Sequence, residues 1–416
     1  MLMRIPFPSI SICHSQTVID YQSRQFVNSI KIPDGVSRED IVKMLPSALG
    51  VFTENQWGPV NTEYLNTVHE TLLLNGLSIL DAVKAVGISC SDFIQRCSFN
   101  KKRFPCFQDH QHFTFRETMS YAGMCCSFNY NPDNSSYQPL NVNSYGVRGG
   151  LSVIATSSPH SNDGTSGLLF SDGFILFMHS PYDFPTEATS MALLEVGKIT
   201  AIGIYPTIST LSADVNALPL VSRRCLTGND VGLNYYSQAT CRTKCMTQFI
   251  YDKCECHPYF VPATDNYSRI RDCAVTDGEC FQRIYYDMRK IRCRECWPAC
   301  EDISYKMSTA TIPYNFANVS INPIYDQTNL SKSEFTAHIY FAGSKAAVRK
   351  TIISESFVEL LSNFGGVFNL VLGVSLFSIL ELFYYFCYKI PQLMQRYSKI
   401  RPVITTIQTK NKHWKQ

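Results

Sequence analysis

A short cysteine cluster carries the residue types best able to do chemistry in this sequence. The segment CRECWPAC places Cys293, Cys296 and Cys300 within eight residues. Thiolates at this spacing bind zinc or form a redox pair in a reducing compartment, whereas in an oxidising compartment they form disulfides. The sequence has 17 cysteines, and ten of them lie in residues 225–300. The compartment therefore decides between a metal site and a disulfide framework.

A second group of polar side chains interrupts the longest apolar stretch, LLSNFGGVFNLVLGVSLFSILELFYYFCY (360–388). On a straight helix, at about 100° per residue, four of them fall within about 60° of one another: Ser362, Gly366, Asn369 and Gly373. Small and polar residues on an apolar helix face protein or water rather than lipid. The stripe is therefore either a helix-packing face or one wall of a pore built from several copies of the helix.

The stretch is long enough to cross a membrane. As a helix it would extend roughly 40 Å, against about 30 Å for the hydrocarbon core of a bilayer. It therefore spans either with tilt or with a local break. The alternative is a buried core helix, but core helices rarely stay apolar on all faces over such a length. We predict a transmembrane pore helix over residues 356–388.

Glu381 is the one charged residue in this stretch. A break at Gly373-Val374-Ser375 would rotate its carboxylate toward the pore axis and free backbone carbonyls. A ring of carbonyls from symmetric copies replaces part of a cation's hydration shell. The alternative for Glu381 is an interfacial position near the inner headgroups. The predicted pore and selectivity residues are Gly373, Val374, Ser375, Asn369, Gly366 and Glu381.

Charge and modification patterns give the orientation of the span. Seven cations and no acidic residue follow Glu381, and the positive-inside rule places such a tail in the cytoplasm. Sixteen cysteines precede the span, and Cys387 lies at its inner end. Four N-glycosylation sequons also precede it, at Asn134, Asn266, Asn318 and Asn329. We predict a plasma-membrane protein with an extracellular domain over 1–355, a disulfide-rich segment over 225–300 within it, and a basic cytoplasmic tail over 389–416.

The rest of the sequence indicates mixed secondary structure and excludes several functions. GLSVIATSS, LLFSDGFILFMHS and KITAIGIYPTIST are typical of strands, and ATCRTKCMTQFIYDKC is typical of a helix with two cysteines on one face. A net charge of +3 is too small to indicate nucleic-acid binding. His110-x-His112 is a second metal candidate, with an exposed loop pair as the alternative. With the cysteines outside the cell, we expect disulfides, no metal site and no enzymatic activity.

Several motifs resemble those of the epithelial sodium channel/degenerin superfamily. Gly373-Val374-Ser375 followed by SILELFYY resembles its second transmembrane segment, and FPSISIC, with Cys13, resembles the motif after its first one. The pattern CRTKC…CEC…CRECWPAC resembles its thumb domain, and GMCCSFN, with a doubled cysteine, resembles the insect pickpocket branch. The resemblance covers essentially all 416 residues. The family's first transmembrane segment and His-Gly gating motif have no counterpart in the sequence.

The resemblance implies an α+β fold. The extracellular domain would consist of a β-sheet palm, a β-ball, a finger and a helical, disulfide-rich thumb, followed by the C-terminal transmembrane helix. The resemblance also implies seven disulfides, and the two cysteines left over are paired with each other. The implied pairs are Cys225–Cys300, Cys241–Cys296, Cys245–Cys293, Cys254–Cys280, Cys256–Cys273, Cys13–Cys125 and Cys97–Cys106, with Cys90 and Cys126 left over.

The resemblance further implies a trimeric, sodium-selective, often amiloride-sensitive channel, assembled as a homo- or hetero-trimer in the lipid membrane. Sodium is the permeant ion, and no cofactor is required. Ser362 aligns with the degenerin position, where bulk is expected to hold the pore open. Asn363 stands where many relatives carry an acidic residue at the outer pore, and we assign both residues to gating. An extracellular stimulus would move the thumb, then the segment around 350–359, then the pore helix.

Two rival interpretations remain. The first is a truncated, non-conducting single-pass subunit or receptor that modulates full-length channel subunits. The second is a soluble, cysteine-rich enzyme with free thiols.

Overall fold

The computed structural model describes residues 5–52, 61–107, 114–131, 138–157, 164–167, 173–186, 188–233, 235–261, 270–288, 290–315, 322–326, 330–373 and 375–398. The chain forms two compact units, Met1–Thr351 and Ile352–Gln416.

The strands that the structure describes all belong to the first unit. They are β1 (Ser9–His14), β2 (Gln16–Ile19), β3 (Ile94–Phe99), β4 (Lys102–Phe104), β5 (Phe115–Ser120), β6 (Gly123–Phe128), β7 (Leu151–Thr156), β8 (Gly164–Gly167), β9 (Phe174–His179), β10 (Ser190–Leu194), β11 (Lys198–Leu211), β12 (Asp302–Pro313), β13 (Glu334–Phe341) and β14 (Ala347–Thr351).

The helices of the first unit are α1 (Asp20–Ser29), α2 (Arg38–Gly50), α3 (Thr62–Leu74), α4 (Ile79–Val86), α5 (Cys90–Phe93), α6 (Ala213–Asn216), α7 (Leu220–Arg223), α8 (Gln238–Cys254) and α9 (Gly278–Met288). The second unit contains α10 (Phe357–Leu372) and α11 (Leu376–Tyr384), followed by a π-helix over Tyr385–Lys389.

Two sheets organise the first unit. The five-stranded sheet has the order β10-β9-β1-β6-β5, and its neighbouring strands are all antiparallel. The larger sheet has the order β12-β11-β13-β7-β3-β4. Its longest strand, β11, pairs in parallel with both β13 and β14. β11 therefore joins the centre of this sheet to the last strand before the second unit.

The main core lies between the two sheets. Alternate residues of a strand point to opposite faces, so Ile10 and Ile12 of β1 enter this core, while Cys13 joins a small cluster on the other face. Phe7 is fully buried there, with its ring 5.4 Å from Phe99 and 5.9 Å from Phe341. Edge-to-face contacts of this kind add to the burial of apolar area.

A second core is mainly helical. Apolar faces of α1 to α4 pack with residues of α8 and α9, and Cys254, Cys256 and Cys273 lie among them. The start of α4 is defined by a capping box in which Ser78 and Asp81 bond to each other's backbone N–H groups. The α+β fold, with a disulfide-rich helical part, is therefore confirmed.

The second unit contains a broken helix. α10 ends at Leu372, Gly373 has a left-handed backbone with φ of 63°, and α11 begins after Ser375. The stretch 356–388 is therefore divided by a local break. Helical structure then continues over 390–398.

By length and hydropathy, no single helix among the described residues meets the requirements of a membrane span. The pair Thr62–Leu74 and Ile79–Phe93, bent by 96°, meets them jointly, and Phe357–Val371 is a shorter apolar helix.

Candidate functional site

The first turn of α10 is fixed by its own side chains. The backbone N–H of Ser356 donates to Glu359 Oε2 at 2.7 Å, and the N–H of Glu359 donates to Ser356 Oγ at 3.2 Å. This reciprocal capping box satisfies two N–H groups that a helix start otherwise leaves unpaired. The position of the helix start in the chain, and with it the phase of every side chain along α10, is therefore set locally.

Three of the four residues of the predicted polar stripe lie on α10, and the fourth, Gly373, follows its last residue with a left-handed backbone. Ser362, Gly366 and Asn369 fall within this one continuous helix, so their common face follows directly from helical geometry. All three are exposed in the single chain, and so is Asn363 beside Ser362. An added Cβ at Gly366 meets nothing within 4 Å. The stripe therefore presents small and hydrogen-bonding groups to whatever lies outside the chain.

The break lies between two helix ends that each carry a polar residue: Asn369 is in the last turn of α10, and Ser375 caps α11. The N–H of Gly373 donates to the carbonyl of Asn369 at 3.0 Å, which closes the last turn of α10. Ser375 caps α11, because its Oγ accepts from the N–H of Ser378 at 3.3 Å. The end of one helix presents carbonyls and the start of the next presents N–H groups. Val374, between them, lies outside the described residues.

Glu381 lies on α11, six residues beyond the cap at Ser375. Because the break intervenes, its direction relative to the α10 stripe no longer follows from one continuous helix. Glu381 is exposed in the single chain. Cys387 is the free cysteine among the described residues, and it is also exposed.

The cysteines before the second unit are all paired. The structure contains the seven disulfides that the resemblance implies, together with Cys90–Cys126. Sulfurs committed to disulfides are not thiolate ligands, so neither the zinc interpretation nor the enzyme with free thiols fits this structure. The His110-x-His112 pair lies outside the described residues, as do the four predicted glycosylation sites Asn134, Asn266, Asn318 and Asn329.

A disulfide ladder stiffens the cysteine-rich part. Cys241 and Cys245 are one turn apart on α8 and bond to Cys296 and Cys293, with Cα–Cα distances of 5.6 and 6.2 Å. Cys225–Cys300 closes the whole segment at its base, directly before β12. Displacements of α8 therefore reach β12 through covalent bonds.

A half-buried polar cluster at the start of α8 has no local signal in the sequence. Thr240 Oγ1 donates to Asp183 Oδ1 at 3.3 Å, and Ser237, the cap of α8, also bonds to Asp183. Tyr235 Oη donates to Asp302 Oδ1 at 3.4 Å. Three elements meet here: the loop after β9, the first turn of α8 and the start of β12.

Its surroundings make Asp183 a weaker acid than an ordinary aspartate, because they raise its pKa. Its pKa is raised to about 6, chiefly by the low-dielectric surroundings and to a smaller extent by the neighbouring Asp302 carboxylate, while the hydrogen bonds from Ser237 and Thr240 act to lower it. Burial also raises the pKa of Tyr235. A carboxyl that titrates near neutral pH therefore lies where the disulfide-rich segment joins the sheets.

The chain matches a family of ion-channel subunits and not one of enzymes. The family model for the amiloride-sensitive sodium channel matches residues 2–385, so the chain belongs to that family. Family members are oligomeric subunits of plasma-membrane channels.

Three curated relatives illustrate the similarity. The chain is 25% identical over 409 residues to the sodium channel protein Nach of Drosophila melanogaster, covering 92% of this chain and 74% of the relative. It is 24% identical over 362 residues to pickpocket protein 28 of the same species, covering 71% and 56%. It is 26% identical over 313 residues to the epithelial sodium channel alpha subunit of Neoceratodus forsteri, covering 70% and 45%. The predicted family and its pickpocket branch are thereby confirmed.

Proposed function

We propose that the chain is a subunit of a trimeric sodium channel whose pore is lined by α10 and α11. The family match over residues 2–385 is the observation that carries this proposal. The match continues through the break at Gly373, so the helix break, which is the feature best suited to bind an ion, belongs to the matched region. Partner subunits are further copies of the chain or related subunits.

The exposure pattern of the second unit supports a membrane location. Large apolar side chains are bare along both helices, with Phe357 77%, Leu370 89% and Phe377 81% exposed. Such surface is unstable in water and stable against lipid tails or partner helices. The polar stripe of Ser362, Gly366 and Asn369 then faces the partners around the axis. With the basic tail in the cytoplasm, residues 1–355 are extracellular and 356–388 form the broken span.

The break supplies groups suited to a permeant cation. Carbonyls at the end of α10 and the Ser375 hydroxyl replace part of the hydration shell of sodium when three copies meet. Asn369 and Gly366 line the wider part above, and Glu381 attracts cations from the cytoplasmic side. Unwound backbone at membrane depth is tolerated where it lines such a wet axis.

The sheet topology supports a route for gating. Cys300 lies directly before β12, β12 pairs with β11 along its length, and β11 pairs with β14, the last strand before α10. Motion of the disulfide-rich segment therefore passes through one continuous set of backbone hydrogen bonds to Thr351. Ser362 and Asn363, one to two turns into α10, form the gate.

The test is heterologous expression in oocytes, with the chain alone and together with a related subunit. We expect a sodium-selective, amiloride-sensitive current in at least one combination. Surface biotinylation on intact cells serves as the control for delivery. A chain that reaches the surface and yields no current in any combination would instead be the non-conducting modulator.

A further inference from the structure

A cluster of cations lies in the segment that follows α9 and returns along α8, to which it is joined by disulfides. The sequence RKIRCR (289–294) has four basic residues in six. Of its described residues, Lys290, Arg292 and Arg294 are exposed, while Ile291 packs against the helical core and Cys293 is tied to α8. Exposed cations therefore alternate with residues held against the protein, and all three lie within residues 290–294.

Helix α8 adds two more cations beside this cluster. Arg242 and Lys244 are both exposed, and they directly follow and precede the ladder cysteines Cys241 and Cys245. On the helix they fall about 80° to either side of the cysteine stripe, so they flank the returning segment. We call Arg242, Lys244, Lys290, Arg292 and Arg294 the basic array.

The described part of the chain does not neutralise the basic array. No ion pair within 4.0 Å between described residues involves any of its five side chains. One exposed carboxylate, Glu295, lies in the same segment, where it and Arg242 both act on Tyr236. The two disulfides prevent like charges on α8 and on the returning segment from moving apart. Bound anions relieve that repulsion.

We propose that the basic array binds a sulfated polysaccharide at the cell surface. The array offers a cluster of exposed charges held together by two disulfides, and arginine forks match the oxygens of sulfate. Clusters of this composition bind heparin-like or nucleic-acid polyanions. This inference rests on the extracellular placement in the proposed function. Of the two classes of polyanion, that placement favours the polysaccharide over the nucleic acid.

An acidic protein fits the array less well. Protein interfaces depend on apolar or aromatic anchors that become buried on binding. Here Ile291 is already packed in the core, and Trp297 is partly buried, with its carbonyl accepting from Tyr236 Oη at 2.7 Å. The array therefore supplies charge without an anchor, which suits a flexible chain of high charge density.

The experiment measures heparin binding by the full chain in detergent micelles across a series of salt concentrations. The test variant carries Lys290→Ser, Arg292→Ser and Arg294→Ser. The control variant carries Lys101→Ser, Lys102→Ser and Arg116→Ser, which removes the same charge from exposed positions elsewhere. Each cation at a polyanion contributes roughly fivefold in affinity, so the test variant should bind heparin about a hundredfold more weakly and with a shallower salt dependence. The control variant should bind like the unmodified chain.

Three results would overturn the proposal: equal weakening in both variants, no heparin binding by the unmodified chain at about 0.15 M salt, or competition by polyglutamate as effective as that by heparin. A non-reducing peptide map showing Cys245–Cys293 intact verifies that the test variant is folded. A third variant, Arg292→Lys with Arg294→Lys, keeps the charge and should retain most of the binding. Binding is measured without current, so a chain that binds heparin and conducts nothing rejects the channel proposal alone.

Discussion

Thr240 in the first turn of α8 donates a hydrogen bond to Asp183 in the loop after β9, with 3.3 Å between Oγ1 and Oδ1. This contact joins the disulfide-rich segment to the sheets at a carboxyl whose pKa is raised to about 6 by burial and by Asp302. The ionised form is disfavoured in the folded state. Protonation therefore stabilises this junction.

The sign of the resulting pH dependence follows from linkage. Asp183 has an ordinary pKa of 3.8 and a pKa of about 6 in the fold, so its contribution to stability is fully present below pH 3.8 and is lost as the pH rises through 6. Asp183→Asn should remove this loss and raise the apparent Tm at pH 7.5 by roughly 2–5 °C. Thermal melts at pH 4.5 and 7.5 measure it. Asp252→Asn, at the exposed far end of α8, is the control, and an equal effect there would contradict the assignment.

Phe7 should be the most sensitive position of the FPSISIC motif. Its fully buried ring contacts Phe99 and Phe341 between the two sheets. Phe7→Ala should lower the free energy of unfolding by about 3–5 kcal/mol, because a large cavity remains. Phe7→Leu retains most of the apolar volume and should cost clearly less. Denaturant unfolding of the two variants tests the difference, and similar losses would mean that the core closes around the cavity.

Cys90–Cys126, the disulfide that the family resemblance does not imply, should stabilise the fold strongly. Cys90–Cys126 joins α5 to β6 across 36 residues, whereas Cys97–Cys106 spans only 9. In the chain-entropy account, removing the first costs about 3–4 kcal/mol and removing the second about 2–3 kcal/mol. Double serine variants of each pair, compared by denaturant unfolding, give the order. A larger loss for the short loop would contradict the account.

Selectivity should depend on the backbone at Gly373. Its φ of 63° disfavours any side chain, although an added Cβ would meet nothing within 4 Å. Gly373→Ala should therefore strain the break by about 1 kcal/mol and lower the sodium-to-potassium permeability ratio. Gly365→Ala, inside α10 with nothing near its Cβ, should leave selectivity unchanged. Reversal potentials in mixed sodium and potassium solutions distinguish the two, and unchanged selectivity in Gly373→Ala would remove the break from the filter.

Bulk at Ser362 should hold the proposed gate open. Ser362 lies on the polar stripe, and Leu360 lies about 160° away around the same helix. Ser362→Val should produce sodium current without a stimulus, whereas Leu360→Val, which faces lipid in the proposal, should not. Resting amiloride-sensitive current at constant surface expression is the measurement. Resting current from both variants would show that the face is wrongly assigned.

Local patterns predicted the elements well. The strand-like segments became β7, β9 and β11, and the helix with two cysteines on one face became α8, because hydrophobic period and turn residues act over a few positions. A break at Gly373-Val374-Ser375 was one of two possibilities that the sequence offered, whereas the cap at Ser375 and the left-handed backbone of Gly373 were not predicted.

Features formed by distant residues were not readable in this way. Asp183 and Thr240 are 57 positions apart, and an isolated aspartate in a loop gives no sign that a helix will bury it. The disulfide pairs followed from family resemblance, since spacing alone fixes no connectivity. The direction of Glu381 depends on the backbone geometry of the break, which a helical projection does not contain.

The parallel attachment of β14 to β11 has a mechanical consequence. Residues Ala347–Thr351 lie alongside Thr207–Leu211 in five successive register pairs. A pull directed along β14 loads that whole ladder in shear, so its bonds resist together instead of unzipping one by one. The parallel pairing of β14 with β11 is therefore suited to carry tension without the two strands separating.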